Sequence, residues 1–200
     1  GQHGDQWCWA ESDELLGRAQ ELGLRPILGL LHHGSGPRTT SLIDRDLSQK
    51  LAEYAAAVSE RYPWVTDWTP VNEPLTTARF SGLYGHWYPH GRSPDVFAEA
   101  FLCQIEAITA AMRELRKNVA GARLVQTEDL GKTYCSAGLE YQAEFENERR
   151  WMTFDALTGR LVPGHPIYRY LVSVGASPKR LQAIASQSDP LVLLGVNHYV

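Results

Sequence analysis

Short apolar runs alternate with stretches of helical period along this chain, and that alternation narrows its fold more than any other feature. The runs lie at residues 24–31, 68–71, 123–127 and 191–196. Each is too short for a helix and apolar enough for a buried strand. Between them come helix signals. At 12–22, Leu15, Leu16, Ala19 and Leu22 share a face, Ser12 is placed to cap, and Gly23 sits where a terminating glycine belongs. Asp44 is placed to cap the next helix. There Leu47, Leu51, Tyr54, Ala55 and Val58 repeat at helical spacing until Pro63. Ser93-Pro94 opens a third helix, with Phe97, Phe101, Ile105, Ile108, Met112 and Leu115 along one face to about residue 117. Residues 166–174 and 178–185 predict two short helices. Residues 75–92 read as a long loop, and 132–166 as irregular with a short helix near 139–149. Pro70 is a misfit in its strand, because it has no N–H for a ladder, and is expected only near the strand end.

Strand–helix alternation implies a parallel sheet. Polar groups gather after the strands: His32 and His33, Asn72 and Glu73, Glu128 and Asp129, Asn197 and Tyr199. In a parallel α/β barrel, the C-terminal strand ends carry the chemistry. A doubly wound sheet is the rival, but no G-x-G-x-x-G or P-loop turn is present to favour it.

Glu73 is the strongest candidate. A carboxyl at a barrel mouth serves as a general acid when its surroundings keep it protonated. Cleavage of a glycosidic bond needs two carboxyl groups on opposite faces of the sugar. Asn72 beside it suits a sugar hydroxyl. The plainer alternative is a glutamate that closes a loop. His32 and His33 suit sugar hydroxyls, a turn or a metal. Metal is the weakest of these, because no companion histidine stands at ligand spacing. The aromatic stretch from Phe80 to Arg92 offers flat faces for the C–H side of a pyranose, or packs down on itself. Tyr199 orients a carboxylate or fills the barrel end, and Asn197 is of the same kind. Glu128 and Asp129 supply a second carboxylate or, better, support the site or touch substrate. Trp7 and Trp9 are expected to cover the outside or a loop, and Arg149, Arg150 and Trp151 to anchor the irregular insertion.

The chain has 200 residues, one domain by length, and a net charge of -4, which disfavours nucleic acid as a partner. No apolar run approaches the ~18 residues of a membrane span, and no membrane partner is expected. There is no leader pattern and no initiating Met, so a piece of something longer is expected. Cys8, Cys103 and Cys135 contain no C-x-x-C, which points to reduced, half-buried thiols in a cytoplasmic protein.

The stretch Thr69-Pro70-Val71-Asn72-Glu73-Pro74 resembles the T-x-N-E-P motif that ends the fourth strand of glycoside hydrolase family 1, the β-glucosidase-like (β/α)8 enzymes. Leu30-Leu31-His32-His33 resembles that family's third-strand end, L-Y-H-W. Gly195-Val196-Asn197-His198-Tyr199 resembles its sixth-strand end, G-I-N-Y-Y, and Pro89-His90-Gly91-Arg92 its A-P-G-R loop. The resemblance implies an α/β fold, a partial (β/α)8 TIM barrel of about strands three to six, forming one domain over 1–200. It implies Glu73 as catalytic acid/base, Asn72 as the amide on the glycon 2-hydroxyl, and His32 as a glycon-binding histidine. Tyr199 matches the tyrosine that hydrogen-bonds the nucleophile, and Asn197 joins the substrate contacts. The implied partner is a small glycoside or oligosaccharide, with no cofactor and no metal.

The departures are specific. His33 replaces a tryptophan, Gly34-Ser35-Gly36-Pro37 replaces D-L-P, and the nucleophile's E-N-G motif is absent from the sequence. Retaining hydrolysis is therefore expected of the full-length parent, with the nucleophile outside these residues and the 200-residue piece inactive alone. The loops best resemble family-1-like modules of bacterial proteins that also carry a dTDP-4-dehydrorhamnose reductase-like domain. The alternative is a carbohydrate-binding or structural barrel module attached to such a reductase.

Overall fold

The computed structural model describes residues 2–3, 6–37, 39–189 and 193–199. A small antiparallel ladder, β1 (Gln2–His3) with β2 (Gln6–Trp7), precedes helix α1 (Ala10–Glu21). Then follow β3 (Ile27–His32), α2 (Leu47–Arg61), β4 (Asp67–Asn72), α3 (Pro74–Ala78), a π-helical turn (Arg79–Leu83) and α4 (Pro94–Asn118). After β5 (Arg123–Asp129) come α5 (Glu140–Arg150), α6 (Met152–Leu157), α7 (Pro166–Ser173), α8 (Pro178–Ala185) and β6 (Leu193–Asn197). Strands β3, β4, β5 and β6 pair in that order, all parallel, as one four-stranded sheet. Chain order and spatial order coincide, so each crossover steps one strand sideways.

Pro70 stands inside β4, not at its end, and the sheet is built around it. Ladder pairing between β4 and β5 runs through Asp67↔Arg123 and Trp68↔Leu124. Beyond that point side chains take over. The Thr69 hydroxyl donates to the Val125 carbonyl at 2.7 Å, and Gln126 Nε2 donates to the Val71 carbonyl at 3.0 Å. These bonds supply what the proline cannot. They also keep the last residues of β4 beside those of β5, where the polar groups lie.

The core forms where α4 meets α2 and the outer face of β4. Phe97, Phe101, Ile105, Ile108 and Leu115 are fully buried, the stripe that their spacing predicts. Trp68 is fully buried and donates its indole N–H to the Val65 carbonyl at 3.1 Å. Trp7 stacks on Tyr54 of α2 at 4.9 Å, and Trp9 lies near the same ring, so both cover a helix. Arg149 is buried, with its guanidinium over Phe97 and Phe145, and ties α5 to α4. Ile27 of β3 and Leu194 and Val196 of β6 are well exposed on the two outer strands.

Several boundaries differ from the sequence reading. α1 starts at Ala10, so Ser12 lies in its first turn and makes no cap. Asp44 accepts the Ser41 N–H at 3.0 Å in a turn, and α2 starts only at Leu47. β3 starts at Ile27, after Arg25-Pro26, because proline restricts the residue before it and donates nothing. The expected loop at 75–92 opens with α3, where Pro74 sits at a first-turn position that tolerates its missing N–H. The irregular stretch contains α6 as well as α5. Residues 191–192 of the expected last strand lie outside the described residues. Of the cysteines, Cys103 is buried while Cys8 and Cys135 are exposed, so none is half-buried.

Candidate active site

Glu73 follows β4 directly, with its backbone in the left-handed region at φ 44 and ψ 60. That region is uncommon for a residue with a side chain, and it turns the chain sharply from strand into α3. Neighbours hold the turn. The Glu73 N–H donates to the Thr127 carbonyl at 3.2 Å, and its carbonyl accepts the Thr77 N–H at 2.8 Å. Its side chain is 2% exposed.

Two donors from the end of β6 converge on one oxygen of this carboxyl. Asn197 Nδ2 donates to Glu73 Oε1 at 2.5 Å, and the Tyr199 hydroxyl donates to the same atom at 3.2 Å. The negative charge of Glu73 raises the Tyr199 phenol above its ordinary value and keeps it a donor. Glu73 Oε2 faces the other way, 3.9 Å from His33 Nε2.

Asn72 is held from behind and open in front. Its Oδ1 accepts from the Thr127 hydroxyl at 2.8 Å and from Asn197 Nδ2 at 3.3 Å. Its Nδ2 is buried without a hydrogen-bond partner among the described residues. Buried amide nitrogens rarely stay unpaired, so this one is open to a further partner.

His33, a candidate for sugar hydroxyls and a departure from the resembled motif, lies next to this carboxyl. Its Nδ1 hydrogen-bonds the Thr77 hydroxyl at 3.0 Å, which fixes the ring with Nε2 toward Glu73. Burial lowers its pKa below the ordinary 6.5, with Glu73 pulling it back up in part. The ring also packs 4.9 Å from Trp87 and 4.5 Å from His32. His32 is exposed, in register with Asn72. The structure thus gathers Asn72, Glu73, Asn197 and Tyr199 by direct contact, and His32 one ring further out. The reading missed Thr77 and Thr127, whose contacts depend on register and turn geometry that no local pattern encodes.

Tyr199 contacts the Glu73 carboxyl, in keeping with the reading that it orients a carboxylate. Glu128 takes a supporting place and not that of a second carboxylate. Its side chain is fully buried behind the Glu73 turn, where Oε1 accepts the Leu75 N–H at 2.7 Å and the Thr153 hydroxyl at 2.6 Å. Burial pushes its pKa up to about 8, and the charge of Glu73 adds to the rise. A carboxyl so enclosed cannot face a sugar, which removes it as the second carboxylate. Asp129 is partly exposed, with Oδ2 3.8 Å from Arg150.

The aromatic loop reaches the site through Trp87. Phe80 stacks on Trp87 at 4.8 Å, and Trp87 packs on His33. A cleft of about 570 Å³ opens between Trp87, Tyr88, His33 and the 34–37 turn. Among the described residues, no group of three His, Cys, Asp or Glu side chains converges to hold a metal ion. None of the described helices is long and apolar enough to cross a membrane.

No family model and no curated protein matches this chain. Solved structures do match it. A β-glucosidase from Thermotoga maritima in complex with castanospermine superposes with a TM-score of 0.78 at 16% identity, over 92% of this chain and 43% of that one. The same organism's β-glucosidase with deoxynojirimycin gives a TM-score of 0.76 at 16% identity, with 92% and 43% covered. A Thermotoga maritima family 1 glycoside hydrolase bound to a cyclophellitol analogue gives 0.77 at 16% identity, with the same coverage. The likeness shows the fold: an α/β chain whose four parallel strands form part of a TIM barrel. The chain spans less than half the length of each of these structures.

Proposed function

We propose that these residues carry the acid/base half of a retaining glycoside hydrolase of the β-glucosidase kind, with the nucleophile supplied by chain beyond them. One observation carries the reading: a buried carboxyl, Glu73, stands beside a buried amide, Asn72, whose nitrogen has no partner among the described residues. The pair suits a sugar whose hydroxyl meets the amide while its glycosidic oxygen meets the acid.

The geometry divides the labour within Glu73. Oε1 already accepts from Asn197 and Tyr199, which leaves Oε2 as the oxygen to transfer the proton. In the first step Glu73 gives that proton to the leaving oxygen as a carboxylate nucleophile attacks the anomeric carbon. In the second step the Glu73 carboxylate takes a proton from the water that releases the sugar. His33, neutral near pH 7 because burial lowers its pKa, adds no competing positive charge beside Oε2. His32 and the Trp87–Tyr88 cleft extend the surface available to the sugar and its leaving group. Fold likeness to β-glucosidases supports the substrate class by analogy. Cytoplasmic location belongs to the same proposal.

The test uses the full-length parent. Glu73→Gly is assayed on aryl β-glycosides with and without azide. Loss of turnover, restored by azide for an activated leaving group, is the expected result. No turnover in the parent on any glycoside, with sugar binding intact, would replace this reading with a carbohydrate-binding module.

A further inference from the structure

We infer that Glu128 is a positioning residue for Glu73: its buried carboxyl clamps the turn that aims the acid. The inference rests on the glycosidase reading for the kinetic part of its test, and on geometry for the rest.

Glu73 is held in a backbone conformation that a residue with a side chain adopts only under constraint. The residues just after it are where the constraint is applied. Leu75 donates its N–H to Glu128 Oε1 at 2.7 Å. Thr153 of α6 donates its hydroxyl to the same oxygen at 2.6 Å. One side chain on β5 therefore binds the Leu75 amide of the α3 turn and ties it to α6. Gln104 of α4 completes the clamp by donating to the Pro74 carbonyl at 3.1 Å.

The carboxyl is chemically suited to the task. Glu128 Oε2 is buried with no hydrogen-bond partner among the described residues, so a negative charge there would be neither solvated nor paired. The neutral acid accepts through Oε1 and adds no full charge beside Glu73. Glu73 is the ionisable group that acts on it electrostatically. A glutamine keeps the accepting oxygen, whereas methionine keeps the volume and loses it.

The experiment compares Glu128→Gln and Glu128→Met in the full-length parent with two aryl glycosides, one with a poor and one with an activated leaving group. Poor leaving groups need the proton from Glu73, and activated ones do not. Positioning predicts that Glu128→Met slows the poor substrate at least about tenfold more than the activated one, since acid catalysis supplies about 10²–10⁴-fold. Glu128→Gln stays within about threefold of the wild type on both, on the same scale of acid catalysis. Equal losses on both substrates, or a Glu128→Gln loss matching that of Glu128→Met, overturn the inference. If the parent hydrolyses no glycoside, the functional reading fails on its own. The clamp is then read by hydrogen exchange at the Leu75 amide and by the carbon-13 titration of the Glu73 carboxyl. Faster exchange and a moved Glu73 midpoint in Glu128→Met, with neither in Glu128→Gln, are expected. Unchanged exchange and midpoint in Glu128→Met refute it. Should Glu128→Met fail to fold, Thr153→Val, which frees one tie of the same carboxyl, is read by the same two measurements and the same criteria.

Discussion

Asn197 Nδ2 lies 2.5 Å from Glu73 Oε1 across 124 residues of chain, and the same nitrogen reaches Asn72 Oδ1 at 3.3 Å. One amide at the end of β6 thus aligns both polar residues at the end of β4. Asn197→Ala removes a hydrogen bond to a chargeable group, a loss of about 1.5–3 kcal/mol. In the full-length enzyme kcat/KM is expected to fall roughly ten- to a hundredfold. The melting temperature should fall as well, because the same bond ties the end of β6 to the end of β4. Steady-state kinetics and a thermal melt on the same preparation check both halves.

Glu128 makes stability depend on pH in a definite direction. Its carboxyl holds a proton in the folded chain up to about 8, while the unfolded chain releases it near the ordinary 4.5. The stabilising contribution is whole below 4.5, shrinks as pH climbs between these values, and is lost above about 8. The full effect is at most about 5 kcal/mol. Glu128→Gln cannot ionise, so the gap between its melting curve and the wild type's should move in the variant's favour from pH 5 to pH 8.5. A constant gap across that range would contradict the buried neutral acid.

His33 should titrate below the ordinary 6.5, because burial opposes its charge more than Glu73 favours it. Since folding lowers this value, the stability it contributes is present above about 6.5 and fades as pH falls through the folded midpoint. Imidazole nitrogen shifts followed by NMR give the midpoint directly. Removing the charge in Glu73→Gln should lower that midpoint further, since the carboxylate is what raises it.

Gly82 and Gly17 offer opposite tests of packing. A Cβ on Gly82 would lie 2.8 Å from the Phe97 backbone, while one on Gly17 meets nothing within 4 Å. Gly82→Ala should destabilise by about 1–3 kcal/mol and loosen the aromatic loop that it pins to α4. Gly17→Ala, in the middle of α1, should stabilise by about 0.5–1 kcal/mol. Chemical denaturation of the two variants beside the wild type decides both signs.

The alternation of strand and helix was readable because the buried stripes are long and regular, as the fully buried Phe97, Phe101 and Ile105 show. Glu73, Asn72, Asn197 and Tyr199 could be picked out because they follow strands, and parallel strands align their ends. Local caps were less legible. Ser12 and Asp44 have the right chemistry for capping, but the helices start elsewhere because tertiary packing sets their ends. The sequence offered Glu128 two roles, supporting the site or facing the sugar, and could not choose between them. Adjacent residues on a strand point to opposite faces, and which face holds the core depends on register. Pro70 did mislead, since the side-chain bonds of Thr69 and Gln126 that replace its missing donor lie across the sheet.

The left-handed backbone at Glu73 sets two demands on this protein against each other. Glycine adopts φ 44 freely, whereas glutamate is strained there by about 1–3 kcal/mol. A chain refined for durability alone would drift toward glycine at position 73. On the proposed function, chemistry and not the backbone's own preference accounts for a glutamate at this position. Glu73→Gly, the change that deletes the acid, relieves the turn that holds it, and a silent variant that melts no lower than its parent has lost its reaction without losing its shape.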